Sequence, residues 1–565
     1  MTAAPGMPAR ETPTGAPTRQ SRNIPCVVRT VRPAVLLALA LAAVSAAPAP
    51  AALETVLQDD ATLLYRSPAQ TRASMARLAS LGVDRVRLTA NWSVLTRDPD
   101  SDVRPTGFDA RNPAAYEQER WRGLDQAVDL ARAAGLNVLI DIGFWAPHWA
   151  THDPPGPRAR TDVNPQDFAD FAVAVARRYS GAFVPPPATG PPPVPGEDEN
   201  LLEALLGLHK RPRPLPPPPG RPLDRVDQFA LWNEPNQPAL LMPQWHGHGR
   251  RARPESPILY GRMLRAAYPA AKAQRPDATF LVGNTASGGS EGRGGVPPLR
   301  FIRALACVDR RLRPISTGAC AHFSTLPGDG WAHHPYTRNE RPDLRSPADE
   351  PDDARIAELG KLSRLLRRLV ARGRLAPGLA QIHITEFGLE TGYIPGRPRL
   401  SPATQARWLT WAEYLASRVP GVVSFAQFLL RDQPPGPVRV GNSDARGFGQ
   451  YYTGLLTAQG RPKPAASQFV AGLFAQNRPG GRVMLWVRMR LPPGLKLVEI
   501  QRRDAPAARW RRLLRVWVDG RGSFTRVVAG EPGARYRLRF PRPGGGLGIG
   551  MAIAPVGRGG GRAAR

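Results

Sequence analysis

The sequence predicts a closed (β/α)8 barrel, an α/β fold, followed by a small all-β, sandwich-like module. Between residues 54 and 476 a short apolar run followed by a helical pattern or a long loop recurs eight times, the signature of alternating strands and helices. After residue 480 the texture changes to short alternating runs separated by glycine and proline turns, which reads as a β module. An open, doubly wound sheet is the runner-up, but no glycine-rich phosphate loop follows the first run.

The eight runs are "ETVLQ", "DRVRLTA", "LNVLIDIGF", "VDQFALW", "TFLVGNT", "GWAHHP", "IHITEFG" and "VVSFAQFLL". The third is apolar almost throughout, as a parallel strand buried on both faces must be. Ahead of it Trp121, Leu124, Val128 and Ala131 fall on one face of a helix. One interval is too long for an ordinary connection: between Pro185 and Pro222 lie 14 prolines, so residues 184–224 read as an insertion before the fourth strand. The barrel is expected over residues 52–478. The module follows over 479–543 in "LVEIQRR", "LLRVWVD", "GSFTRVV" and "RYRLRF", and residues 544–565 form a Gly/Arg-rich tail.

Residues 1–51 read as a lead and signal peptide. Arg29 and Arg32 precede "PAVLLALALAAVSAAPAPAA", whose small residues offer cleavage after Ala49 or Ala51. The apolar core is too short to span a membrane, so the expected product is secreted, with no stable membrane insertion. Cys26 lies on the discarded side, which leaves Cys307 and Cys320 as an even pair in an oxidising compartment. A disulfide between them is expected, two buried thiols being the alternative. No histidines stand at metal-ligand spacing around them. His246 and His248 in "HGHG" are a weak lure in a glycine-rich loop, and no metal or cofactor is expected.

The formal net charge is +31. Residues 478–565 hold 20 basic and 4 acidic residues, contributing 20 − 4 = +16. Attraction of the C-terminal module to anionic cell-wall polymers follows, although arginine abundance also tracks codon usage. Export disfavours nucleic acid.

The fourth run ends in "LWNEPN", with Glu234 between an asparagine and a proline, and the seventh ends in "ITEFG", with Glu386 at the same place. A glutamate at a strand end is by itself an ordinary turn residue. In a parallel barrel, however, the C-terminal strand ends share one face, where the active sites of this fold sit. Two carboxylates 386 − 234 = 152 residues apart are thereby brought to one mouth. Paired carboxyls are what glycoside hydrolysis needs: one gives the leaving oxygen its proton, the other attacks or activates water.

Over residues 54 to 476 the chain resembles glycoside hydrolase clan A, the retaining (β/α)8 enzymes, nearest to families 5 and 39 of secreted actinobacterial type. "WNEPN" is similar to the clan's acid/base motif, "TEFG" to its nucleophile motif, "HPY" (His334 to Tyr336) to its strand-six pattern, and Arg87 in "VRLTANWS" to its strand-two arginine. "TGLLTAQGRPKPAASQF" resembles the stretch before the last helix. The resemblance implies Glu386 as nucleophile, kept ionised by Arg87 and Tyr336, and Glu234 as general acid and then base. It implies Asn233 as the partner of the sugar 2-hydroxyl, and His334 as a residue that orients the sugar or the acid. Packing at strand ends, or a barrel-interior salt bridge for Arg87, is the plain alternative. Trp92, Trp145, Trp149 and Trp245 follow strands two to four and are candidate sugar-stacking faces, with core packing equally open. The clan commonly ends strand eight on a tryptophan, yet none lies between Trp411 and Trp486; Gln427 or Phe428 would stand there. The expected protein is a secreted retaining glycosidase acting on a poly- or oligosaccharide. The alternative is a catalytically silent carbohydrate- or wall-binding protein on the same barrel.

Overall fold

A computed structural model describes residues 52–557 apart from 155–157, 188–219, 248, 291, 293, 393–397, 435–450 and 543–544. The expected signal segment with Cys26, most of the proline-rich insertion, His248 and residues 544 and 558–565 of the tail lie outside the described residues.

All eight expected barrel strands form: β1 (Glu54–Gln58), β2 (Arg85–Asn91), β3 (Asn137–Gly143), β4 (Gln228–Leu231), β5 (Thr279–Ala286), β6 (Gly330–His334), β7 (Ile382–Ile384) and β8 (Val422–Phe428). They are parallel and close in the order β1-β8-β7-β6-β5-β4-β3-β2. A helix follows each one: α1 (Pro68–Ser80), α2 (Gln118–Ala133), α3 (Pro165–Arg178), α4 (Ser256–Gln274), α5 (Pro298–Leu305), α6 (Leu359–Val370), α7 (Pro402–Ser417) and α8 (Pro464–Val470). Three of these start on one local device. Ser67, Asn164 and Ser401 each cap their helix through a side-chain oxygen, with proline at the first helical position, where its missing N–H costs nothing. Leu139, Ala230, Leu281 and Ala332 pack as a small layer inside the barrel, and the main core lies between strands and helices.

The β module has two antiparallel sheets. One holds β9 (Ala471–Arg478), β10 (Arg482–Met489) and β13 (Ser523–Ala529); the other holds β11 (Leu495–Arg503), β12 (Arg511–Asp519), β14 (Arg535–Pro541) and β15 (Leu547–Ile549). Its first strand thus begins at Ala471, ahead of the boundary expected at 478. The module packs closely on the barrel. Val483, Leu485, Val487 and Met489 face the second sheet, whereas Phe474, Met484 and Trp486 pack on Trp411 of α7. Strands β9 and β10 are therefore buried on both faces, whereas β13 is largely exposed. Arg488 on β10 and Arg490 just after it reach Glu413 of α7, at 3.4 and 2.5 Å. Arg488 also donates to the Leu53 carbonyl at 2.9 Å, and Arg490 to the Thr55 hydroxyl at 2.9 Å. The contact sits under the N-terminal end of β1, opposite the mouth. Gly82 is needed there: a Cβ on it would lie 2.5 Å from the Arg490 carbonyl oxygen.

Candidate active site

The strand ends that bear the motifs converge. After β4 the chain turns through Trp232 and Glu234, both in the left-handed region at φ 69° and 38°, where non-glycine residues are uncommon. The turn is held by Trp232 N–H donating to the Ile142 carbonyl (2.8 Å) and Glu234 N–H to the Asn284 carbonyl (3.0 Å). The Trp232 ring lies so close over Gly143 that a Cβ there would meet it at 2.8 Å, which explains the glycine of "DIGF". This strained turn aims Glu234 across the mouth at Glu386, which follows β7.

Glu234, His334 and Glu386 each present a ligand-type atom within 4.8 Å of the other two, so the two carboxyls stand opposed at short range. Glu386 is gripped on both oxygens. Oε1 accepts from Arg87 Nη1, and Oε2 from the Tyr336 hydroxyl at 3.0 Å. Arg87 is fully buried and also donates to Asp141 Oδ2 and Asn233 Oδ1, both at 2.7 Å, and to Gln58 Oε1. Burial pushes the Glu386 carboxyl up, but the charges of His334 and Arg87 and the hydrogen bonds from Arg87 and Tyr336 outweigh it and hold it below the usual carboxylate range. Burial and the Glu386 charge push the Tyr336 hydroxyl far up, so it stays a donor. His334 Nδ1 lies 2.8 Å from Glu234 Oε1 and 3.7 Å from Glu386 Oε2.

A cavity of about 420 Å³ opens over this group, within the size range of small-ligand sites. Gln58, Asn233, Glu234, Tyr336, Glu386 and Phe428 are among its lining residues. A larger hollow of about 830 Å³, beside α1 and the chain after β8, holds neither glutamate.

Placement of the remaining candidates is uneven. Asn233, Arg87, His334 and Tyr336 join the glutamates. Trp92 is fully buried, stacked on Phe171 at 5.4 Å with Trp149 edge-on at 6.0 Å. Trp145 is fully buried and donates to the Ala239 carbonyl at 3.0 Å, and Trp149 and Trp245 are part-buried against the main core. None of these four tryptophans lines the cavity. Gln427 turns away to donate to the Phe428 and Thr453 carbonyls, at 2.7 and 2.8 Å, and Phe428 stands at the strand-eight position on the cavity wall. Cys307 and Cys320 are joined as a disulfide with Cα atoms 5.6 Å apart.

Three further partners of this cluster escaped the motif search. Asp141 lies in the middle of apolar β3, accepting from Arg87 and, at 2.8 Å, from Asn284 Nδ2. Thr385 donates to Asn284 Oδ1 at 2.9 Å and lies 3.0 Å from His334 Nε2. A carboxylate inside "LIDIGF" was the available signal, because a buried charge demands a partner.

No protein-family model matches the chain and no curated protein matches it. Among solved structures it is similar to the GH5_18 protein of Streptomyces cattleya in complex with GlcNAc, at 18% identity and TM-score 0.39, over 74% of this chain and 78% of that one. It is also similar to the GH5_18 protein of Bifidobacterium longum subsp. longum, at 12% identity and TM-score 0.38 over 74% and 78%. A third is the exo-beta-1,4-mannosidase of Opitutaceae bacterium strain TAV5, at 16% identity and TM-score 0.39 over 74% and 58%. Likenesses at this level carry no argument about activity, which has to rest on the site itself.

Proposed function

We propose that the protein is a retaining O-glycosyl hydrolase of the clan A type, cleaving a poly- or oligosaccharide by double displacement. The observation that carries this is the opposed pair itself. Glu234 and Glu386 present oxygens within 4.8 Å of each other, which suits the carboxyl spacing of about 5 to 5.5 Å in retaining enzymes and not the 6.5 to 9.5 Å that roughly brackets inverting ones.

In the first step a Glu386 oxygen bonds to the anomeric carbon as the bond from that carbon to the leaving oxygen breaks, and Glu234 gives the leaving oxygen its proton. In the second, Glu234 takes a proton from water, the water oxygen bonds to the anomeric carbon, and the Glu386 carboxylate leaves. Arg87 and Tyr336 supply the ionised, fixed nucleophile. Asn233 accepts from Arg87 on Oδ1, so its Nδ2 is free to donate to the sugar 2-hydroxyl, a contact that strengthens in the transition state.

A fluorinated mechanism-based aryl glycoside should label Glu386, and the first-formed product should keep its anomeric configuration by NMR. Glu234→Ala should retain appreciable cleavage of substrates with acidic phenol leaving groups, and azide should accelerate it with formation of a β-glycosyl azide. A first product of inverted configuration refutes the reading.

Export is part of the proposal. The Cys307–Cys320 disulfide fits an oxidising compartment, and among the described residues no helix is long and apolar enough to cross a membrane. The outer face of the second module sheet is the surface we assign to anionic wall polymers. Val498 and Ile500 of β11 point into the module core, so alternate residues and their register partners point out: Arg512, Arg515 and Arg539, with Trp517 64% exposed beside them.

A further inference from the structure

On the glycosidase reading, we propose that Asn284 and Thr385 are positioning residues that fix His334 with a hydrogen on Nε2, so that Glu234 and His334 share one proton between Oε1 and Nδ1. The hydrogen-bond chain permits a single assignment. Asn284 Nδ2 lies 2.9 Å from the Trp232 carbonyl oxygen, which can only accept, so the amide nitrogen must be on that side. Oδ1 then faces the Thr385 hydroxyl at 2.9 Å and must accept from it. A hydroxyl has one hydrogen, and that of Thr385 is now used. Its lone pair, 3.0 Å from His334 Nε2, must therefore accept, which places a hydrogen on Nε2.

The other ring nitrogen has no freedom left. Nδ1 and Glu234 Oε1 are 2.8 Å apart, and two bare lone pairs at that distance would repel. One proton lies between them, either on Glu234 and donated to a neutral ring, or on an imidazolium and donated to a carboxylate. Both forms of the pair carry one transferable proton and no net charge. When the leaving oxygen takes it, the pair is left as carboxylate and neutral imidazole at charge −1, and the proton drawn from water in the second step restores it. His334 thus acts on the acid, holding its proton in place and in reserve.

Charged and titratable groups surround the pair. Glu386 Oε2 lies 3.7 Å from Nδ1. Asp141 and His333 interact with the ring's charge from β3 and from within β6, and Tyr336 and Arg87 reach it through their hold on Glu386.

Thr385→Val removes the acceptor for Nε2–H, whereas Thr385→Ser keeps it. General acid catalysis contributes roughly 10² to 10⁴, so the valine variant should lose about 10- to 100-fold in kcat/KM on alkyl or sugar leaving groups. On a dinitrophenyl glycoside, which needs no proton, it should lose less than about threefold. The basic limb of its pH–rate profile should move to lower pH, and the serine variant should restore both. A purely structural role would lower all substrates together and leave the limb unmoved, and that result overturns the proposal. ¹⁵N-histidine NMR of the full wild-type chain gives an independent reading. Nε2 should be protonated; a ring carrying its hydrogen on Nδ1 alone overturns the assignment whatever the activity. A wild-type chain that hydrolyses no glycoside of a broad panel defeats the glycosidase reading, while the NMR result still decides the tautomer.

Discussion

Two buried arginine centres lie at opposite ends of the barrel, and they differ in the sign of their surplus charge. At the mouth one cation, Arg87, is shared by Asp141 and Glu386, with buried Asp60, pushed up to about 7 by burial against the pull of Thr89 and Arg87, also close enough to feel it. At the base one carboxylate, Glu413, is shared by two cations, Arg488 and Arg490. Burial and the neighbouring Arg490 push Arg488 down to about 10 despite Glu413. The base disposes of its positive surplus on carbonyl oxygens of Leu53, Phe469 and Met489, which stitches module to barrel. The mouth leaves its negative surplus facing a cavity, where the proposed reaction would develop the positive charge of an oxocarbenium-like transition state. Buried ion pairs are weak evidence of function on their own. Which sign is in excess, and whether the excess faces a cavity, separates a reacting centre from a joint.

The sharpest way to break this contrast is one substitution at each end. Glu386→Ala removes the proposed nucleophile and should cost about five orders of magnitude in turnover, the scale of losing a hydrolase nucleophile. It should leave the chain folded, because Arg87 keeps Asp141. Glu413→Ala removes the carboxylate that accepts from the buried Arg488 and Arg490 guanidiniums and should cost about 3 to 5 kcal/mol of stability, read by urea unfolding. Below the transition, the folded enzyme should keep its turnover within about twofold, since Glu413 is remote from substrate. Deleting the module from Ala471 onward uncovers Trp411 and strands Glu413 without Arg488 or Arg490, so the barrel should become insoluble or melt well below the full chain. A truncated barrel that stays soluble, melts normally and is active would show that the base is not a structural joint.

The contrast also marks what the sequence could reveal. Every barrel strand was legible, because parallel strands buried on both faces read as apolar runs and the helices carry their own caps, as in "SPAQ" and "NPQD". Glu234 and Glu386 were legible because each ends such a run on a carboxylate. The tryptophans were not: an aromatic after a strand can point to the cavity or to the core, and Trp92 and Trp145 packed inward. The tie of Arg488 and Arg490 to Glu413 was hidden for a related reason. Strands β9 and β10 do not alternate, because they are covered by α7 on one side and the second sheet on the other. The charges in "RVMLWVRMR" therefore gave no hint that they reach back to a helix some 75 residues earlier in the chain. Asn284 and Thr385 are small polar residues at strand ends, and only the closed barrel shows that they meet.

Acid should test the two ends more gently. His333 at the mouth and His383 in β7 are both pushed down to about 4 by burial, from an ordinary value of 6.5. The unfolded chain therefore binds more protons between these values, and stability should fall as pH drops from about 6.5 to about 4, by at most on the order of 3 kcal/mol per residue. His333 has both nitrogens engaged, with the Thr285 hydroxyl and the Ala354 carbonyl, whereas both nitrogens of His383 lack partners. His383→Leu should thus remove its share of the acid loss at little cost near neutrality, while His333→Leu strands two partners and should destabilise at every pH. Urea midpoints at a series of pH values would show it; parallel acid limbs in wild type and His383→Leu would rule out a titrating His383.

The smallest expected effect concerns charge that is not buried at all. The outer module face has the same excess of arginine as the base, but Arg512 and Arg515 are exposed and Arg515 is only loosely held by Glu499 at 3.2 Å. Glu499 meets Arg539 at 3.8 Å as well, and neither contact reaches the barrel, so replacing Arg512, Arg515 and Arg539 by glutamine should leave the unfolding midpoint and turnover of a small aryl glycoside unchanged. What should change is retention on a polyanionic polysaccharide. Exposed charges contribute about 0.2 to 1 kcal/mol each and are screened beyond a Debye length of roughly 8 Å at physiological salt. The triple variant should therefore bind about tenfold more weakly at low salt, and the difference from wild type should vanish as salt is raised. Trp517→Ala, which removes an exposed ring and no charge, should instead weaken binding to a similar degree at all salt concentrations. Equal retention of all variants would mean that the exposed surplus, unlike the two buried ones, has no partner on this face.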